Sequence, residues 1–123
     1  MRVYETLAFE NERPACRDAT QSGPMLVIDG ALHPRFLPDG TSRRIRNGVG
    51  TSEDGSRAWF AISNAPVNFH DFARLFQEHL GLGQALYLDG NISRLYAAEL
   101  GRNDHGFPLG PMIAVVDPEG ADG

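Results

Sequence analysis

The sequence predicts an α+β domain in which a mainly antiparallel or mixed sheet packs around one principal helix, over about residues 68 to 80. Three observations predict it. Short apolar runs recur between Asp-Gly and Glu-Asp-Gly turns, the pattern of strands joined by tight connections. One stretch, Phe69 to Leu80, carries apolar residues at helical spacing. A chain of 123 residues with 41% hydrophobic content supports one small core, so residues 1–123 are read as a single domain.

Residues 3 to 9 read as either a short strand or a helical turn, and residues 10 to 20, with Pro14, show no clean period. Met25-Leu-Val-Ile-Asp-Gly-Ala-Leu-His33 reads as a hairpin with a type I′ turn at Asp29-Gly30. Residues 34 to 44 hold two prolines and the Pro38-Asp-Gly turn, which makes them a surface loop. A second hairpin follows: Arg46 to Thr51, the turn Glu53-Asp-Gly, then Arg57 to Ser63. Asn68 is placed to cap the helix, whose inward residues are Phe69, Phe72, Ala73, Phe76 and Leu80, and Gly81 ends it. Phe69, Phe72 and Phe76 are read as core, with Trp59 covering the same core from its strand. Ala85 to Leu88 reads as a buried strand ending at Asp89-Gly90, Asn91 to Tyr96 as a turn and short strand, and Met112 to Val116 as a last strand. The tail from Asp117 should fray.

The net charge of -5 comes from 16 acids against 11 bases, and every base is arginine. No basic footprint for nucleic acid exists. The single cysteine, Cys16, excludes an internal disulfide and is read as a small buried group. No apolar run approaches the roughly 18 residues of a membrane span, and the first residues lack a signal peptide's apolar core. Gly81-Leu-Gly83 follows a helix and precedes a strand, the reverse of the dinucleotide-binding order. The absence of lysine removes the usual phosphate-binding loop, and Gly50-Thr-Ser-Glu-Asp54 lacks the last glycine of a nucleophile elbow. His33, His70, His79 and His105 form no helical metal clamp. Asn91-Ile-Ser93 fits the glycosylation sequon, a match too short to carry weight. The expected site therefore uses neither metal nor cofactor.

The segment that carries chemistry is Tyr87-Leu-Asp-Gly-Asn-Ile-Ser-Arg-Leu-Tyr96, because a strand ending in Asp-Gly sets a carboxylate at its edge where the glycine lets a ligand approach. On spacing alone Asp89-Gly90 serves equally as a turn. Gln84-Ala-Leu-Tyr-Leu-Asp-Gly-Asn-Ile-Ser93 resembles the strand and Asp-Gly-Gly-Gly-Ser-type turn of phosphodiester glycosidases. Thr20-Gln-Ser-Gly-Pro-Met-Leu26 resembles the segment before that family's central hairpin, and Arg46-Asn-Gly-Val-Gly50 its Arg-Thr-Ala-Ile-Gly-type strand. Ser63-Asn-Ala-Pro-Val-Asn-Phe-His-Asp-Phe-Ala-Arg-Leu-Phe76 is similar to the uncharacterised bacterial branch. The resemblance covers residues 15 to 117 and points to the C-terminal half of the family domain. Asn91 and Ile92 stand where better-known members have glycines, and nothing matches the family's upstream Asn-Gly-Gly-type turn.

What the resemblance implies is hydrolysis of the bond between a sugar's anomeric carbon and a phosphate oxygen, with a sugar phosphodiester or glycan as the partner molecule. Asp89 would be the carboxylate, as acid, base or stabiliser of an oxocarbenium-like state. Arg46 would be a two-pronged phosphate fork, with Arg44 as its substitute, while Ser93, Gln21 and Gly90 would line the sugar and phosphate. The competing reading is an inactive remnant that binds a sugar phosphate or a protein partner. Without an upstream half, strands at Met25 to Ile28 or Ala85 to Leu88 would be left bare, so a homo-oligomer or a marginally stable, aggregation-prone monomer is expected. Many relatives are exported, which leaves the compartment open.

Overall fold

The computed structural model describes residues 1–89, 93–106 and 112–115. Its elements are α1 (Thr6–Glu12), β1 (Met25–Ile28), β2 (Ala31–Leu32), β3 (Asn47–Thr51), β4 (Ala58–Ile62), α2 (Phe69–Arg74), β5 (Gln84–Asp89), β6 (Tyr96–Ala97) and β7 (Arg102–Asn103). The first five strands form one sheet in the order β2-β1-β5-β3-β4, antiparallel throughout, and β6 pairs with β7 separately. The architecture is the α+β arrangement expected from the sequence.

The turn chemistry explains the hairpins. Asp29 and Gly30 both have positive φ, at 49° and 83°, as a type I′ turn requires, and β2 folds back on β1 there. At the N-terminus the ambiguity between strand and helix resolves to helix. The Glu5 carboxylate accepts from the Leu7 and Ala8 amides and so satisfies the exposed donors of α1. The chain ahead of α1 is fastened to the sheet by the Val3 amide, which donates to Thr51 Oγ1 at 3.1 Å.

Asn68 caps α2 as expected, its Oδ1 accepting from the Asp71 amide at 2.8 Å. The helix is not uniform, however. After Arg74 the turn widens into a π-helical segment, Leu75–His79, closed by the Leu80 amide on the Leu75 carbonyl at 3.0 Å, and Gly81 ends it with φ of 64°. Phe72 and Phe76 project onto the sheet together with Leu26, Val27, Leu82 and Ala85, and Trp59 packs against the same cluster.

Close approach of helix to sheet depends on the strand beneath it. A Cβ at Gly48 would lie 2.8 Å from the Leu86 carbonyl oxygen, and one at Gly50 would lie 2.5 Å from Leu82 Cδ1 and 2.8 Å from Phe76 Cδ1. The neighbour at Gly48 is main chain inside the sheet and cannot yield. Gly48→Ala should therefore destabilise the fold by about 1–3 kcal/mol, outweighing the smaller gain in chain stiffness. Urea unfolding checks this, and an unshifted midpoint would count against it.

Three expectations change. Met25 to Ile28 and Ala85 to Leu88 are not bare edges: β1 lies between β2 and β5, and β5 lies between β1 and β3. Among the described residues the long edge strand is β4 instead. Cys16 is exposed, because residues 13 to 24 form neither helix nor strand and lie outside the core. Residues 112–115 form no strand, and Met112 and Val115 stand in solvent. Val116 lies outside the described residues.

Candidate functional site

Three stretches converge at the carboxyl end of β5: the loop before β3, the start of α2 and the last residues of β5 itself. Together Ser42, Arg44, Arg46, Phe69, Tyr87, Leu88 and Asp89 line an open cleft of ≈ 420 Å³. Local backbone geometry helps to create it. Asn47 pairs with Asp89 while Gly48 pairs with Tyr87, so β5 carries an extra residue, Leu88, in a bulge. A bulge re-aims side chains at a strand's end.

Arg46 is the centre of this region. Its side chain is buried, with 1% exposure, and its guanidinium lies 3.7 Å above the Phe69 ring centroid. Nε donates to the Val67 carbonyl at 2.9 Å, Nη2 to the Ser42 carbonyl at 2.9 Å and Nη1 to Tyr87 Oη at 3.3 Å. The edge that would grip a phosphate, Nε with Nη2, is thus committed to main-chain carbonyls. The geometry makes Arg46 a fixed cation beneath the cleft, because a buried guanidinium must find acceptors and the nearby loop supplies them.

The aromatic residues hold that cation in place. Phe69 stacks on Phe36 with centroids 5.0 Å apart and meets Tyr87 edge-on at 4.8 Å. Asn68 adds the second fastening, its Nδ2 donating to the Pro38 and Gly40 carbonyls, each at 3.2 Å. The loop that carries Ser42 and Arg44 is therefore pinned by the helix cap from one side and by Arg46 from the other.

Asp89 is exposed at the end of β5 and lines the cleft. Ser93 stands behind it: its Oγ accepts from Asn47 Nδ2 at 3.0 Å and lies 3.5 Å from the Asp89 carbonyl. Gln21 is exposed next to Ser22, whose Oγ donates to the Tyr87 carbonyl at 2.8 Å. Neither Ser93 nor Gln21 is in the cleft lining. Gly90, Asn91 and Ile92 lie outside the described residues. Ser42, Phe69 and Tyr87 are cleft residues that the sequence reading did not assign to the site; Tyr87, two residues before Asp89 on one strand, carried the only signal.

The segment after Ser93 is tied down by Asp104. Its carboxylate accepts from Arg102 Nη2 at 2.7 Å and from the Leu95 amide at 3.0 Å. These bonds, Arg102 first, hold the Asp104 carboxyl at about 2 against an ordinary 3.8. The lowered value means the clamp contributes fully above pH 3.8 and is lost as pH falls towards about 2. Protection of the Leu95 amide relative to its intrinsic exchange rate should fall across that window; protection already lost near pH 3.8 would show that Asp104 is not the anchor. Among the described residues no cluster of His, Cys, Asp or Glu is arranged to hold a metal ion, and no helix is long and apolar enough to cross a membrane.

Comparison with known proteins places this cleft in a family context. The chain is 42% identical over 97 residues to the uncharacterised protein YigE of Escherichia coli, an alignment that covers 79% of this chain and 38% of YigE. It thus spans well under half the length of that relative. No solved structure matches it. The model of the phosphodiester glycosidase family matches residues 3–116, further toward the N-terminus than the segments noted above, and takes in every residue of the cleft. On that match, which spans nearly all of its sequence, the chain belongs to the phosphodiester glycosidase family.

Proposed function

We propose that the cleft binds a sugar 1-phosphodiester and hydrolyses the bond between the anomeric carbon and the phosphate oxygen. The observation that carries this reading is the meeting of an exposed carboxylate, Asp89, with a buried cation, Arg46, at one cleft. Such a reaction builds positive charge on the sugar and negative charge on the departing phosphate. A carboxylate answers the first and a guanidinium the second, and the guanidinium needs little reorganisation because main-chain carbonyls already hold it. Arg46 acts here as a charge beneath the phosphate, with Arg44 beside it at the cleft surface. Ser93 and Gln21 take part from behind the lining, in holding the end of β5 and in reaching an extended sugar.

A second reading, binding without turnover, is favoured by the commitment of Arg46 to the Val67 and Ser42 carbonyls. Self-association belongs to the proposal in altered form: β4 pairs on one side with β3 and would meet a second copy along its other edge.

The test is release of free N-acetylglucosamine from a model phosphodiester of that sugar. Release above the uncatalysed rate supports hydrolysis, saturable binding without release supports the second reading, and neither sinks both. Sedimentation at several concentrations decides the oligomer.

A further inference from the structure

We propose that the Tyr87 hydroxyl is the phosphate-gripping donor of the cleft, aimed by Arg46 behind it. This rests on the reading of the ligand as a sugar phosphodiester and assigns its phosphate to a residue on the wall.

A phenol oxygen carries its hydrogen in the plane of the ring, with one position on each side of the C–O bond. Arg46 Nη1 donates to Tyr87 Oη at 3.3 Å. A guanidinium has donors only, so this contact fixes Tyr87 as the acceptor and turns its own hydrogen away from Arg46. Tyr87 lines the cleft, which makes that hydrogen a donor available to a ligand oxygen. The cation behind the oxygen withdraws charge from it, and a hydrogen bond polarised in this way is stronger toward an anion.

The ring is held as firmly as the hydroxyl. Its edge-on contact with Phe69 at 4.8 Å and the Arg46 guanidinium 5.5 Å from its centroid restrict its rotation. Two residues further along β5 stands Asp89, which lines the same cleft. A phosphate hydrogen-bonded to Tyr87 would therefore have the sugar carbon on the side of Asp89. Arg46, whose Nε and Nη2 face carbonyls, reaches the ligand through Tyr87 and serves as the positioning residue.

The test is calorimetric titration of wild-type protein and Tyr87→Phe with three probes: inorganic phosphate, N-acetylglucosamine 1-phosphate and N-acetylglucosamine. The variant keeps the ring and its aromatic contacts while removing the hydroxyl, which is both the donor offered to the ligand and the acceptor of Arg46 Nη1. Its affinity for the two phosphate probes should fall about tenfold, with affinity for the uncharged sugar unchanged. Equal affinities in both proteins, or an equal loss for all three probes, would overturn the inference. In the wild-type protein the Tyr87 Cζ resonance should move when inorganic phosphate is added, and a stationary resonance overturns the inference independently of how the variant folds. Phosphate binding that depends on Tyr87 without any phosphodiester hydrolysis would sink the proposed reaction and leave this inference standing. Hydrolysis indifferent to Tyr87→Phe would do the reverse.

Discussion

Phe76→Ala is expected to lower the unfolding free energy by about 3–5 kcal/mol, the range for a fully buried phenylalanine whose site cannot collapse. Phe76 has no exposed surface, and its ring meets that of Phe72 edge-on at 5.5 Å. Beneath it lies Gly50, where even a Cβ would come within 2.8 Å of the Phe76 ring. That contact determines the magnitude. Glycine offers no side chain that could swing into the vacated space, so the cavity persists and its cost adds to the lost burial. The effect should exceed that of Gly48→Ala, which crowds the Leu86 carbonyl and, at 3.2 Å, Leu26 Cδ1 and Phe72 Cε2 without emptying the core. A small domain has a total stability of only about 5–15 kcal/mol, so Phe76→Ala should sit near the edge of folding at room temperature. Urea titration followed by far-UV circular dichroism reads the loss directly. A shift under about 1 kcal/mol would mean that the helix-to-sheet contact is not the main source of stability.

Much of this frame is legible in the residues because local chemistry and tertiary demand agree there. Asp29-Gly30 can adopt the positive φ values of its turn, Asn68 can cap, and Phe72 and Phe76 share one helical face. The elements that were hidden show why. The π-helical widening after Arg74 keeps the same apolar residues inward, so spacing alone reads through it as one continuous helix. β7 is two residues long and gains its place from Arg102 and Asp104, a pairing visible only in space. Met112 to Val115 has strand-like composition, but the described structure gives it no partner ladder.

The site is legible in the same uneven way. Asp89 stands out because a strand ending in Asp-Gly is a local signal. Arg46 stands out through family resemblance, yet its burial follows from residues far away in sequence: Phe69 above it, Val67 and Ser42 accepting from it. No local pattern announces that a strand-end arginine will be enclosed. Tyr87 was inside the quoted motif without a role, since an apolar strand supplies a sufficient reason for a tyrosine until its hydroxyl is seen against Arg46.

Asp89→Asn is expected to reduce the rate of sugar release by about 10²–10⁴-fold, the usual contribution of a positioned acid or base. The side chain is exposed, so stability should change by no more than about 0.5 kcal/mol, and the loss would belong to chemistry. Asparagine preserves size and shape while removing the charge that faces the developing positive centre. Substrate affinity should change far less than rate, because the neutral ground state of the sugar makes little use of a carboxylate that the transition state needs. The pH dependence then separates the roles left open for Asp89. A group that must be ionised, as base or as charge stabiliser, produces the acidic limb of the rate profile, and a group that must be protonated produces the alkaline limb. Whichever limb disappears in Asp89→Asn identifies the role. An unchanged rate across the whole range would remove Asp89 from the mechanism and shift the search for the carboxylate to another part of the protein.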